Sequence, residues 1–533
     1  TNLDGTRGYQ PGSETDGVHD GSPYTIVNPM WYYEDTASDR GSRINGFNPE
    51  YGTPILPTID ALREMMDEKD LWPIDKKTWW YLDGDGFHGM TGFYNEAVRE
   101  YGAPSSIEEY AWKAQMVGAL AHQTLWEAWN AQRFEYGDRF SSGFLFWYLN
   151  SANRQTCGRM WDWSLEPTAG LFSTQKANEP LHVQYDFLKN TVGVNNELRR
   201  PFPGLTVTAR ILNFDLKEVY RGSAKLNVPA DAFVKDVLKV KLPANLSPVH
   251  FIKLTLTDAS GALLSENFYW RSNQEYKPGR TNTGPLLKGM SSISRLPKAD
   301  ATSAVRQYSE DGKNFYEVKV TNSTDVLAFM VWLRLQDVKT GKPIRPAFYS
   351  DNFFSLLPGE SRVVKIEYSG SIAPASTQLL VDGWNIVRRL YVGDKVTVLP
   401  DIRTIRSKSL AEGKPVAASS SEGEWKPENV TDLDDNSRWA SQRNDDQWIA
   451  IDLGGPTRMS EVRLAWESAH AKEFKLQVSD DAKSWRDIAH VTDSKGGVET
   501  VKFPLTTARY IRLLGVKRAS GYGYSLYDFA VYP

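Results

Sequence analysis

The sequence predicts a multidomain chain that is α/β at its N-terminal end and all-β after it. The expected architecture is a partial (β/α)8 TIM barrel, two immunoglobulin-like β-sandwiches and a further all-strand module. Three observations predict this. The chain has 533 residues, more than one hydrophobic core supports. Up to about residue 190, short apolar runs alternate with clear helical patterns, and strand, loop, helix, strand is the grammar of an α/β barrel. Beyond that point helical spacing disappears, and alternating strand patterns separated by turn signals take over. The expected segments are 1–190, 191–283, 284–405 and 406–533.

Taken in order, Arg43 to Asn48 reads as a short strand. Pro57 to Asp67 reads as a helix, with Pro at its entry and apolar residues at helical spacing. Ser106 to Tyr136 reads as a long helical reach, and Ser106 followed by Glu109 fits a capping box. Gly143 to Leu149 (GFLFWYL) is apolar on both faces, as a strand of a parallel barrel is. The runs LTVTARILNF, HFIKLTLTD, NFYEVKVTNS and VLAFMVWLRLQD then alternate, which predicts the two sandwiches. A polar stretch from Ile402 to Pro415 marks the last boundary.

Composition narrows the function classes. A hydrophobic share of 41% and a charged share of 24% are ordinary for a globular protein. The net charge of −4 is spread along the chain with no dense basic stripe, which argues against nucleic-acid binding. No apolar run reaches the ~20 residues of a membrane-spanning helix. Cys157 is the one cysteine, so no disulfide forms within the chain. Thr1 in place of an initiator Met is read as a sign of processing, cleavage or truncation. No Cys/His metal motif, phosphate-binding glycine loop or nucleophile elbow is present in the sequence. Most of the 18 tryptophans are expected in cores, and a minority on sugar faces.

The most informative segment is GFNPEYGTPILPTIDALREM, Gly46 to Met65. Glu50 stands where a short strand ends and a loop begins, the end of a barrel strand from which catalytic groups project. On spacing alone it reads as a surface carboxylate at a strand end.

Five stretches, in order, resemble glycoside hydrolase family 2, in the branch of exo-β-glucosaminidases and β-mannosidases. They are GVHDGSPY from Gly17, GFNPEYGTP, FLFWYLN with the following MWDWS, KANEPLHVQY from Lys176 and SDNFFSLLPGE from Ser350. The resemblance covers roughly residues 1–400. It implies a retaining exo-β-glycosidase acting on a polysaccharide or glycan, of glucosaminidase, mannosidase or galactosidase type, with Glu50 as nucleophile. Such enzymes place two carboxyl groups about 5–5.5 Å apart across the bond. The family's acid/base Glu lies upstream of the segment that Thr1 to Tyr9 resembles, so a tightly bound N-terminal part is expected as partner, covalent or not. Glu96, after Asn95, falls too late in the chain and reads as a solvated helix residue.

By the same resemblance Trp147, Asn150, His19, Tyr24 and Trp161 line the sugar site, with Trp163, Glu14 and Asp20 as further polar or aromatic neighbours. No cofactor is expected for catalysis, and the enzyme is expected to be secreted or periplasmic. The competing reading is a non-catalytic glycan-binding protein on a decayed hydrolase scaffold.

Residues 408–533 resemble a discoidin (F5/8 type C) domain, or carbohydrate-binding module family 32, a jelly-roll β-sandwich. The stretches NVTDLDDNSRWAS, DQWIAIDLG, FKLQVSDDAKSW and ARYIRLLGVKRASGYGYSLYDFAVY carry the likeness. It implies sugar binding by loop aromatics, for which the candidates are Trp425, Trp466, His470, Tyr522 and Tyr524. It also implies a structural Ca2+ at Asp432, Asp434, Asn436 and Ser437, with Asp435 nearby and Asp528 standing where the family commonly has Glu. Calcium takes six to eight oxygen ligands, which an acidic turn can supply.

Overall fold

The computed structural model describes residues 26–33, 47–74, 79, 94–133, 143–156, 160–274, 289–401, 409–432 and 437–533. The chain divides into two compact units.

Ahead of the sandwiches the chain carries a 3-10 helix (Pro29–Tyr33), strand β1 (Phe47–Tyr51), helices α1 (Ile59–Met65), α2 (Glu68–Leu71), α3 (Asn95–Arg99) and α4 (Ile107–Ala131), strand β2 (Gly143–Phe146) and helix α5 (Ala169–Ala177), all in the first unit except residues 98–110. β1 and β2 pair in parallel, with Phe47 opposite Gly143. They are the only parallel strands in a named sheet among the described residues, so a barrel segment beyond this pair is not evident. The run 143–149, expected as a barrel strand with both apolar faces covered, is strand only over Gly143–Phe146 and is not covered along its length. Leu145 is 57% exposed and Leu149 56%.

α4 is buried along almost its whole length, polar residues included, so its stability comes from packing rather than from an amphipathic surface. Its start is the expected box in shifted form. Ser106 Oγ accepts from Glu109 N (3.2 Å), while Glu109 Oε2 reaches back one residue further, to Ser105 N and Oγ, both at 2.7 Å. No helix among the described residues is long and apolar enough to cross a membrane.

Seven strands follow: β3 (Leu181–Asp186), β4 (Thr191–Asn196), β5 (Phe202–Asn213), β6 (Glu218–Val228), β7 (Ala232–Lys239), β8 (Val249–Thr257) and β9 (Leu263–Ser272). They form antiparallel sheets ordered β3-β4-β7 and β6-β5-β8-β9. Leu205, Val207, Ala209 and Ile211 alternate inward on β5, the period-two pattern of a sandwich face. β3 pairs with β4 from Leu181, so this sheet starts ahead of the segment expected from 191.

The second sandwich holds nine strands: β10 (Ala301–Glu310), β11 (Lys313–Asn322), β12 (Ala328–Asp337), β13 (Ala347–Tyr349), β14 (Phe354–Leu356), β15 (Ser361–Ser369), β16 (Thr377–Asp382), β17 (Arg389–Val392) and β18 (Lys395–Val398). Its sheets are ordered β10-β11-β15-β13 and β14-β12-β16-β17-β18. Val318, Val320, Leu333, Leu335, Val364, Ile366, Leu379 and Val381 close its core.

The second unit is the C-terminal module, with segments 98–110 and 289–296. Its strands are β19 (Val416–Ala418), β20 (Trp439–Ala440), β21 (Trp448–Trp466), β22 (Ala471–Ser479), β23 (Arg486–Val491), β24 (Val498–Arg518) and β25 (Ser525–Tyr532). They run β20-β25-β21-β24-β22-β23, with β19 on β21. Register shifts between Asp452 and Thr457 and between Met459 and Glu461 break the β21–β24 ladder; such irregularities bend a long strand.

Candidate functional site

The segment Asn48-Pro49-Glu50 explains locally why the β1–β2 pairing is interrupted at Glu50. Pro49 has no N–H to donate to the ladder. Asn48 Oδ1 takes the Glu50 N–H at 2.9 Å instead. The β1–β2 register jumps from Asn48 opposite Phe144 to Tyr51 opposite Phe146. The ladder closes again as Trp147 N donates to Tyr51 O at 2.8 Å. Glu50 therefore directly precedes the Tyr51–Trp147 rung at the C-terminal end of two parallel strands, and Glu50 and Trp147 are both half-buried.

The chain after Glu50 is fixed from below. Thr53 Oγ1 and the buried Tyr32 hydroxyl lie 3.2 Å apart. Tyr94 OH accepts from Leu56 N (3.3 Å) and donates to Ala114 O (2.7 Å). Gln115 on α4 donates to Leu56 O (2.7 Å) and accepts from Ala169 N (2.9 Å), which satisfies both ends of a buried amide. Gly118 lets α4 approach, because a Cβ there would lie 2.3 Å from the Ile55 side chain. Sequence reasoning did not single out Tyr94, Gln115 or Gly118, since their partners are distant in the chain.

Three of the sugar-site residues expected from the resemblance gather beyond β2. Asn150 and Trp161 form a parallel bridge, and Trp161 N donates to Leu149 O at 3.0 Å. Asn150 is exposed, and Trp161 is half-buried. Trp163 lies under Arg154, whose guanidinium is 4.9 Å from the ring centre. His19, Tyr24, Glu14 and Asp20 lie outside the described residues. Glu96 is exposed on α3, as expected.

The loop carrying Trp161 rests on buried charge. Asp162 Oδ1 accepts from Ser164 N (2.8 Å), Ser164 Oγ (2.6 Å) and Glu166 N (3.0 Å). Arg345 donates through Nε to Glu166 Oε2 at 2.7 Å and through Nη1 to both Glu64 oxygens at 3.0 Å. Arg334 bridges Asp60 (2.8 Å) and Asp382 (2.7 Å). Burial pushes the Glu166 carboxyl up to about 7, although Arg345 opposes the shift. The sign follows from linkage. A raised carboxyl binds its proton more tightly in the fold, so its share of stability is complete below its ordinary 4.5 and is lost as pH rises through about 7. Denaturation at pH 5 and pH 8 checks this, and Glu166→Gln should flatten the difference.

In the C-terminal module the five aromatic and histidine candidates separate. Trp425 is 38% exposed and Tyr522 62%, with Arg438 4.0 Å above the first ring and Arg443 5.2 Å above the second. His470 is half-buried. Trp466 and Tyr524 are corrected from loop binders to core residues, at 2% and 0% exposure. Trp466 packs on Phe474 at 5.6 Å and donates Nε1–H to Glu499 Oε2 at 2.8 Å. Tyr524 covers Gly515, where a Cβ would lie 2.2 Å from its ring.

For calcium, Ser437 Oγ donates to Asp432 Oδ2 at 2.7 Å and joins the ends of the acidic loop. Asp434, Asp435 and Asn436 lie outside the described residues. Asp528 sits on β25 opposite Ala465. Among the described residues no three His, Cys, Asp or Glu side chains cluster to hold a metal.

Comparison with known proteins agrees with this organisation. Residues 286–386 match the exo-beta-D-glucosaminidase Ig-fold domain, and residues 415–529 match the F5/8 type C domain. The exo-beta-D-glucosaminidase of Streptomyces avermitilis is 29% identical over 394 residues, covering 70% of this chain and 43% of that protein. The mannosylglycoprotein endo-beta-mannosidase of Lilium longiflorum is 25% identical over 465 residues, covering 73% and 47%. The crystal structure of Amycolatopsis orientalis exo-chitosanase CsxA superposes with a TM-score of 0.65 at 25% identity, covering 73% of this chain and 47% of that one. The chain thus spans less than half the length of these relatives. It is homologous to part of the exo-β-D-glucosaminidases of glycoside hydrolase family 2, with their Ig-fold domain at 286–386 and an F5/8 type C domain at 415–529.

Proposed function

We propose that the chain is part of a retaining exo-β-glycosidase of glucosaminidase or mannosidase type, with Glu50 as its nucleophile. The observation that carries the reading is Glu50 at the break in the β1–β2 ladder, one residue before the rung between Tyr51 and Trp147. A carboxylate there attacks the anomeric carbon and forms a glycosyl-enzyme, which water then hydrolyses. β1, α4 and β2 act as the closing stretch of an α/β barrel. The exposed Leu145 and Leu149 are then covered by an N-terminal part, which also supplies the acid/base carboxyl. Names of relatives that act on β-linked glucosamine and mannose support the substrate class. A polymeric substrate fits a secreted or periplasmic enzyme.

The test is product analysis on β-1,4-linked glucosamine and mannose oligomers with the complete enzyme. Stepwise release of single sugars from one end is expected. Release of internal fragments, or no release, counts against the reading.

In the C-terminal module Trp425 and Tyr522 stack on sugar, while the loop from Asp432 to Ser437 takes Ca2+, with Asp434, Asn436 and Asp528 as further ligands. The fit is partial, since only the Asp432–Ser437 closure brings candidate ligands together. An ion at a hundred times its Kd stabilises by about 2.7 kcal/mol. The module's melting temperature should therefore rise with CaCl2 and fall with EGTA. A melting temperature that neither moves contradicts the site.

A further inference from the structure

Trp161 meets a ring from the second sandwich. Phe348 on β13 stands edge-on to it, with centroids 5.9 Å apart and planes at 64°. Phe348 is 52% exposed, although phenylalanine is among the residues most often fully buried. The strand that bears it is held in place. Arg345 fastens the start of that strand to Glu64 on α1 and to Glu166 in the Trp161 loop. One guanidinium therefore ties together the helix that follows Glu50, the loop with Trp161 and the strand with Phe348. A fixed aromatic ring left open on one side suits the apolar face of a pyranose.

We propose that Phe348 and Trp161 form a two-ring platform for the sugar chain on the leaving-group side of the cleaved bond, with Arg345 as its positioning residue. The inference rests on the function proposed above. An exo-acting site encloses the terminal sugar, so the rest of the polymer leaves across the rim. Phe348 belongs to a separate sandwich and is more exposed than Trp161, as a rim residue is. The second sandwich then contributes to substrate recognition as well as to support.

The experiment compares Phe348→Ala with the complete wild-type enzyme on a nitrophenyl β-glucosaminide and on a β-1,4-glucosamine tetramer. KM for the tetramer should rise about tenfold, the size of 1.4 kcal/mol of lost stacking, and KM for the aryl glycoside should stay within about twofold. Phe348→Tyr should restore the tetramer KM. Arg345→Lys keeps the charge but not the fork and should raise the tetramer KM selectively. Val363→Ala, at another exposed position of this sandwich, should change neither. Equal shifts on both substrates, or no shift, overturn the platform alone. Failure of the wild type to cleave either substrate counts against the proposed function and the platform together.

Discussion

Glu50→Gln is expected to lower kcat/KM by at least about a thousandfold while leaving the melting temperature unchanged. Loss of a nucleophile removes the covalent route altogether, and what remains comes from binding and the other catalytic groups. The fold should tolerate the change because its local anchor is the Glu50 backbone N–H, which donates to Asn48 Oδ1 in either variant. Tyr51, next in the chain, keeps its contacts with Phe144 at 5.5 Å and Trp129 at 6.2 Å. Steady-state kinetics on an aryl glycoside, paired with a thermal melt, checks both halves. A tenfold loss or less would place the nucleophile elsewhere.

Glu127→Ala carries the largest expected effect on stability. Glu127 is fully buried on α4 and accepts from Gln123 (3.1 Å), His182 Nε2 (3.1 Å), Asn267 (2.8 Å) and Tyr269 (2.9 Å). His182 is also fully buried and has Glu179 Oε2 3.2 Å from its other nitrogen. Burial opposes a charge on His182, but the bonds to Glu127 and Glu179 outweigh it and hold the imidazole above its usual value. Burial likewise opposes charge on Glu179, yet His182 and Lys176 hold it down at about 2. Removing Glu127 leaves a buried cation half-paired and strips an acceptor from three donors, at a cost of about 3–5 kcal/mol. Urea denaturation should show this, with Glu127→Gln losing less. A change within ~0.5 kcal/mol would contradict the network's role.

The same groups set a pH window. The raised His182 contributes fully below 6.5 and is lost above it. The lowered Glu179 contributes fully above 4.5 and is lost as pH falls toward about 2. This network is therefore complete between pH 4.5 and 6.5, while the Glu166 loop loses stability as pH rises from 4.5 through about 7.

Much of this was legible in the residues. Alternation along β5 and β11 and the Ser106–Glu109 start of α4 act over a few positions, where pattern and local chemistry agree. The aromatic candidates of the C-terminal module were less legible. Trp466 and Tyr524 border turns in sequence, but the strand register points them into the core, and register is a long-range property. The Arg345 fork and the Trp161–Phe348 pair join residues from different domains, so no local signal marks them. Leu145 reads as barrel core in sequence but is exposed on the strand pair described.

The most direct test of the central claim is covalent trapping. The complete enzyme is incubated with an activated 2-fluoro β-glycoside, digested and mapped by mass spectrometry. The account predicts one added glycosyl group, on the peptide containing Glu50 and absent in Glu50→Gln. A label on a different carboxylate would contradict it.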